Sequence, residues 1–364
     1  MVKVGVITHW GALDNYGQTI QTYALQKALE KNGVESYLIR YTGNARKSSI
    51  WRKLLRIYNI RRMYAYFLRK KNDAKNKVIN KDNHRDLRLF LEENITLAPF
   101  IYSRKDLLLN PPQADIFMTG SDQVWNKLDK TYFLDFTPWS AKRISYAASF
   151  GGVCYEGSEL ETLKFLLKPF DIITVRESEG LQICEKAGRP DAFLAPDPTL
   201  LLTAADYSSI AIQPQEKKPY ILLYMLGSKN SYNIKECYTF ASKHNLDVRY
   251  VASQRQFDDY PKIYPEMGEW LGLIQNARYV ITNSFHGTVF SLIFNRQFIT
   301  IPLDSDSRKM NNRVEDLLKP FDLLSRITNE NNILLTSINY QEINDYLTSI
   351  KDQGYKILSK MITS

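Results

Sequence analysis

Short runs rich in Val, Ile and aromatic residues alternate along this chain with stretches of helical pattern. That alternation limits the possible folds more than any other feature of the sequence. VKVGVITHW (2–10), VESYLIRY (34–41), ADIFMTG (114–120), KRISYAASF (142–150) and DIITVRE (171–177) have the composition and length of strands. Helical patterns fall between them at 17–32, in a basic stretch, at 84–93 and at 156–167. Such alternation predicts a parallel sheet covered by helices. A second series follows: KPYILLYMLG (218–227), LDVRYVAS (246–253), ARYVIT (277–282) and RQFITIPL (296–303). At 364 residues the chain is also too long for one ordinary core, so two successive α/β domains are the simplest account. The join is expected in FLAPDPTLLL (193–202), where Pro196 and Pro198 bracket Asp197 and interrupt regular structure. This gives a first domain over 1–195, with a basic helical excursion at 46–93, and a second over 196–340. The remaining 341–364 reads as a terminal helix packing back on the first domain.

No apolar run approaches the roughly 20 residues that span a bilayer, and MVKVGVI lacks the shape of a signal peptide. Cys154, Cys184 and Cys237 have no pairing or metal-ligand spacing and read as free thiols in a reducing cytoplasm. The net charge of +9 is local: 46–71 carries ten Lys and Arg and no acid, leaving the rest near neutral. Trp51, Tyr58, Tyr64 and Phe67 interleave with those cations. A basic aromatic helix suits the anionic inner face of a membrane or a lipid-linked anionic substrate; alternatively, it packs its apolar side on the domain. No nucleic-acid recognition motif accompanies the charge.

Parallel sheets bind ligands at the carboxyl ends of their strands. The first strand runs into HWGALDNYGQ (9–18), which has neither G-x-G-x-x-G nor a G-x-x-x-x-G-K-[ST] loop, so a nicotinamide enzyme and a P-loop NTPase are disfavoured. Asn15 and Gly17 open a helix there, either as a polar or anionic ligand site or as a capped turn. ADIFMTG ends in GSDQVWN (120–126). Gly120 permits close approach, Ser121, Asp122, Gln123 and Asn126 are polar, and Trp125 offers a flat face of the kind sugars stack on. In TNSFHGTVFSLIF (282–294), Asn283 or Ser284 caps an apolar helix, and His286 sits in its first turn beside N–H groups that favour an anion. Gly287 leaves room for an approaching group. Arg308, Lys309 and Arg313 in DSDSRKMNNRVEDLL (304–318) could reach the same mouth, and Arg176 ends another strand. Asp304-Ser305-Asp306 matches a D-x-D pattern too common to carry a metal assignment.

GSDQVWN, VRESEGLQICEKAG, PDPTLLL and TNSFHGTVFSLIF, in this order, resemble the polysaccharide pyruvyl transferase family from the Asn15-Tyr16-Gly17 loop to about Arg326. The resemblance implies two Rossmann-like domains, GT-B-like, with the active site in the interdomain cleft. It implies phosphoenolpyruvate as co-substrate, no metal or redox cofactor, and a cell-surface glycan or lipid-linked oligosaccharide as acceptor. The product would be a pyruvate ketal. By the same resemblance His286 is the proton donor, and Arg176 and Lys309 bind the donor, with Arg308, Ser284 and Gly287 beside them. Asp122 serves as base or acceptor-orienting group, and Asn15, Tyr16, Gln123 and Trp125 lie on the acceptor side. Relatives often read S-R-x-H where this chain has Ser284-Phe285-His286, so one expected cation is absent, with Arg308 or Arg313 as replacements. A nucleotide-sugar glycosyltransferase is the closest alternative, with Glu269 as its ribose ligand. A non-catalytic glycan-binding protein is the other.

Overall fold

The computed structural model describes residues 2–43, 85–227, 232–252, 258–303 and 312–364. The basic segment, Arg308, Lys309 and Asp304-Ser305-Asp306 lie outside those residues.

The first domain runs β1 (Lys3–Ile7), α1 (Tyr16–Lys31), β2 (Glu35–Tyr41), α2 (Leu87–Asn94), β3 (Leu97–Tyr102), α3 (Arg104–Leu109), β4 (Ile116–Thr119), β5 (Lys142–Ala148), α4 (Gly157–Leu167), β6 (Ile172–Val175), α5 (Ser178–Lys186) and β7 (Phe193–Leu194). Its strands are all parallel, in the order β3-β2-β1-β4-β5-β6-β7. The second domain runs α6 (Ala204–Ser208), β8 (Tyr220–Met225), α7 (Ile234–Lys243), β9 (Asp247–Ala252), α8 (Met267–Asn276), β10 (Tyr279–Thr282), α9 (Phe285–Ile293), β11 (Gln297–Thr300) and α10 (Asn312–Leu318). Its parallel sheet has the order β11-β10-β8-β9. A long helix, α11 (Tyr340–Thr363), ends the chain.

Helices on both faces bury the central strands completely, which is why IFMT and YILLYM read as unbroken apolar runs. The edge strand β3 escaped the sequence reading for the opposite reason. LAPFIY contains Pro99 and exposes three consecutive residues, neither alternating nor fully buried. β7 was missed because it is two residues long and sits in the proline-rich join.

Strand order reverses between β1 and β4 in one sheet and between β8 and β10 in the other. Both reversals open a crevice at the carboxyl ends of the strands. The two domains are pressed together beside these crevices by α1. Tyr16, Ile20, Tyr23 and Ala24 share a core with Trp270, Val289 and Phe290 of α8 and α9. Burial of each large apolar side chain is worth about 1.5–3 kcal/mol, so this contact holds the cleft in a defined geometry. α11 crosses the join. Ile343 lies in the shared interdomain core, whereas Leu358 and Met361 lie with Val4, Val6 and Ile116 under the first sheet. Gly354 allows a close approach to the join: a Cβ there would lie 2.2 Å from Leu201 Cδ2. Among the described residues, no helix is long and apolar enough to cross a membrane.

Candidate functional site

β10 ends at Thr282, and the next residues stitch the second sheet to its helix. Asn283 Oδ1 accepts from Leu226 N at 2.7 Å and its Nδ2 donates to Leu226 O at 2.9 Å. Ser284 is the N-cap of α9, its Oγ accepting from Gly287 N at 3.2 Å. Gly287 packs α9 on the strand, since a Cβ there would fall 2.5 Å from Thr282 Oγ1. Ser284 and Gly287, expected on the donor, are therefore buried and serve the helix itself; the Gly287 N–H is already taken. His286 projects from the first turn toward the other domain, where its Nε2 lies 3.6 Å from Asp197 Oδ2. On its far side the ring meets α1 at Gly17, the point that needs a glycine: a Cβ there would lie 2.1 Å from Nδ1.

Asp197 is the hub of the site. It follows β7, is buried, and caps the turn Pro198–Leu201 through Oδ1, which accepts from Thr199 N at 3.0 Å and Thr199 Oγ1 at 2.6 Å. Its Oδ2 accepts from Arg176 Nη1 at 2.9 Å and from Ser121 Oγ at 3.4 Å. Burial alone would raise its pKa, but His286, Arg176 and Thr199 outweigh burial and hold the carboxyl far below the usual carboxylate range. Arg176 behaves conversely. Burial opposes its charge, yet Asp197, Glu177 and Asp122 raise its pKa above the ordinary guanidinium value. Glu177 is held in turn by Ser149 Oγ at 2.7 Å and Phe150 N at 3.0 Å, with Oε2 3.6 Å from Arg176 Nε. Nε and Nη2 of Arg176 are buried and make no hydrogen bond among the described residues.

A second imidazole–carboxylate pair stands at the mouth of the first sheet. His9 Nδ1, just past β1, lies 3.5 Å from Asp122 Oδ2, and its ring meets the edge of Tyr132 at 5.0 Å. Gln18 Nε2 reaches the same Asp122 oxygen at 3.4 Å. Asp122 has φ +86°, a conformation costly for a residue with a Cβ. Its backbone is fixed there by Ser149 N and Val124 N, donating to its carbonyl at 3.0 and 2.8 Å. Burial would again raise this carboxyl, but His9, Arg176 and the Gln123 N–H carry it far below the usual range. Such strain persists only where the surroundings impose it, and here they aim the carboxylate into the cleft beside His9.

Arg313 of α10 joins the two halves. With the Gln123 amide turned to present its oxygen, Nη1 and Nη2 of Arg313 donate to it at 3.0 and 3.2 Å. The guanidinium groups of Arg176 and Arg313 both lie over the Phe285 ring, 5.0 and 5.7 Å from its centroid. Burial and the neighbouring Arg176 push Arg313 down to about 10, only partly offset by Glu177, Asp122 and Asp197.

His286, Arg176, Asp122 and Gln123 are thus brought together. Asn15 lies at the cleft's edge as the N-cap of α1, accepting from Gln18 N at 3.1 Å. Two acceptor-side expectations are corrected. Tyr16 is fully buried between the domains, stacked on Trp270 at 4.8 Å, with its hydroxyl bonded to Pro265 O and Arg85 Nη1. Trp125 is fully buried too, stacked on Phe133 at 5.3 Å, with Nε1 donating to Tyr132 O at 3.0 Å, and offers no face to a sugar. Glu269, the alternative ribose ligand, closes a capping box with Glu266 N at 2.9 Å. Sequence reasoning missed His9 and Asp197 as site residues. The strand-end position of His9 and the Pro-Asp-Pro context of Asp197 were the available signals. Among the described residues no group of three His, Cys, Asp or Glu converges on a metal position.

The fold has counterparts among known proteins. UDP-GlcNAc 2-epimerase from Methanocaldococcus jannaschii aligns over 98% of this chain and 99% of its own, with a TM-score of 0.51 at 12% identity. The UDP-GlcNAc 2-epimerase from Neisseria meningitidis bound to UDP-GlcNAc aligns over 100% and 99%, with a TM-score of 0.49 at 8% identity. At such identities the likeness is one of fold, and the fold is GT-B-like. No curated protein matches the chain in sequence. The family model described as polysaccharide pyruvyl transferase matches residues 15–305, which include Gly17, Asp122, Arg176, Asp197 and His286, and the chain belongs to that family.

Proposed function

We propose that the protein transfers the pyruvyl group of phosphoenolpyruvate to two hydroxyls of a hexose in a polysaccharide precursor, forming a ketal and releasing phosphate. The observation that carries this reading is the cluster of His286, Asp197 and Arg176 between the two sheets, a proton donor beside a buried guanidinium with unused N–H groups. Phosphoenolpyruvate carries a carboxylate and a phosphate and needs such donors.

His286 protonates the methylene carbon from Nε2, which makes no hydrogen bond to any described residue, building positive character at C2, and the Asp197 carboxylate 3.6 Å away favours the charged imidazole. The first sugar hydroxyl then forms its bond to C2. Asp122, held strongly ionised, is a weak base, so it orients His9, and His9 takes the hydroxyl proton at Nε2. The second hydroxyl closes the ketal as the C2–O bond to phosphate breaks, and its proton leaves on phosphate. Over one turnover His286 gives up one proton and His9 gains one, and the partly exposed His9 returns its proton to solvent while His286 regains one before the next cycle. Arg308 and Lys309 are further candidates for the donor's charge. A lipid-linked acceptor at the inner face of the membrane suits the basic segment 46–71.

The test is a thermal-shift series with phosphoenolpyruvate, inorganic phosphate and uridine, guanosine and cytidine nucleotide sugars on the wild type and Arg176→Ala. Ligand at about 100 times its Kd stabilises a fold by about 2.7 kcal/mol. Stabilisation by phosphoenolpyruvate, lost in the variant, supports the reading. A response to one nucleotide sugar and none to phosphoenolpyruvate overturns it.

A further inference from the structure

Arg313 enters the cleft from α10, and its hydrogen-bond partner there is the neutral amide of Gln123, not a carboxylate. The acidic groups around it are already engaged. Asp197 is held by Arg176 and Thr199, and Glu177 by Ser149 and Phe150 N. Asp122 takes the Gln123 N–H with His9 and Gln18 beside it, and Asp316, which borders the same cavity as Arg313, accepts from Ser178 N at 3.0 Å and Ser178 Oγ at 2.8 Å. Donors are what remain. Among the described residues, Nη2 of Arg176 and Nε of Arg313 are buried with no hydrogen-bond partner, in side chains that both border a cavity of about 340 Å³. The Arg176 side chain is only 3% exposed. Phe285 lies under both guanidinium groups and supplies a flat face but no counter-charge.

Two neighbouring guanidinium groups with buried, unused N–H donors are costly in a protein alone. The cost is removed when an anion enters that accepts from both. We propose that Arg313 is a second donor-binding cation, forming with Arg176 a two-arginine site for a small molecule that carries two anionic groups. This rests on the phosphoenolpyruvate reading for the identity of that molecule, but the site itself does not. In the unliganded protein Arg313 is a liability, pushed down to about 10 by burial and by Arg176. Removing it gives up its hydrogen bonds to Gln123 but also the repulsion from Arg176, so the free protein should change little and the complex should weaken. A merely structural arginine behaves in the opposite way.

The experiment measures melting temperature and ligand affinity on the intact chain for wild type, Arg313→Gln and Arg313→Lys, with phosphoenolpyruvate, inorganic phosphate and pyruvate as probes. Arg313→Gln should melt near the wild-type temperature without ligand, bind phosphoenolpyruvate at least tenfold more weakly, and regain part of that affinity as Arg313→Lys. Phosphate or pyruvate alone, each with one anionic group, should bind more weakly than phosphoenolpyruvate and lose less in the variant. Affinity within twofold of wild type in Arg313→Gln overturns the proposal. So does a lowered melting temperature without ligand, which would make the residue structural. A wild type that ignores phosphoenolpyruvate but binds phosphate through Arg313 sinks the pyruvyl reading and leaves the anion site standing.

Discussion

Gly17 and His286, from different domains, approach so closely that a single methyl on the glycine would lie 2.1 Å from the imidazole Nδ1 and 2.8 Å from Cγ and Cε1. The first helix and the histidine therefore determine each other's positions, and the motif loop that opens α1 is a wall of the site. Gly17→Ala must displace the ring or the helix. Overpacking of this kind costs about 1–3 kcal/mol, seen as a lowered melting temperature. If His286 is the acid proposed above, displacing it by about 1 Å lowers turnover on the order of 100-fold. A variant with wild-type turnover would show that His286 need not hold this position.

Asp122 tests whether backbone strain is kept for the sake of chemistry. At φ +86° a glycine fits better than any residue with a Cβ. Asp122→Gly and Asp122→Ala both remove the carboxylate beside His9, so both should lose turnover. Only the alanine retains the strain, so the glycine variant should be the more stable by about 1 kcal/mol, the reverse of the usual order. Chemical denaturation of the two variants measures this directly. Equal stabilities would mean that the loop relaxes and the strain is not imposed.

The two histidines should separate donor binding from chemistry. His9→Gln removes the group proposed to face the acceptor and leaves Arg176, Asp197 and Arg313 untouched. It should keep the thermal shift with phosphoenolpyruvate while phosphate release in the presence of nitrophenyl hexosides falls about 100- to 10,000-fold. His286→Gln should lower turnover by a similar factor. If His9→Gln turns over at the wild-type rate, the proton from the acceptor hydroxyl goes elsewhere.

The central strands and α1 were legible because parallel strands buried on both faces leave uninterrupted apolar runs. β3 was not, because an edge strand with Pro99 and an exposed face resembles a loop. In the site, His286 stood out as a polar group where a strand ends, whereas Arg176 read as an ordinary ion-pair partner of Glu177 or Glu179 and gained a role only through the family resemblance. Asp197 did not stand out, because its importance comes from what converges on it: Arg176, 21 residues earlier, and His286 from the other domain. Trp125 and Tyr16 misled for a related reason. An aromatic beside polar residues reads alike whether its ring faces a sugar or a core, and only packing separates the two.

Asp197 makes the clearest pH prediction. In the unfolded chain its carboxyl takes up a proton near the ordinary value of about 3.9. In the folded protein, burial opposes the charge, but His286, Arg176 and Thr199 hold the group ionised to far lower pH. Between those values the unfolded state binds more protons, so stability rises with pH there. Its contribution is fully present above about pH 4 and is lost as pH falls through the folded value. Asp197→Asn keeps the size and the contact with Thr199 but leaves Arg176 without its closest carboxylate. Breaking a buried pair from one side costs about 3–5 kcal/mol at neutral pH. The same substitution should flatten the dependence of unfolding free energy on pH below about 4. Urea denaturation from pH 7 to pH 3 on both proteins reads the two effects together. A variant as steep as the wild type in acid would assign the acid sensitivity to other carboxylates, with Asp122, also held far below its usual range, the first to examine.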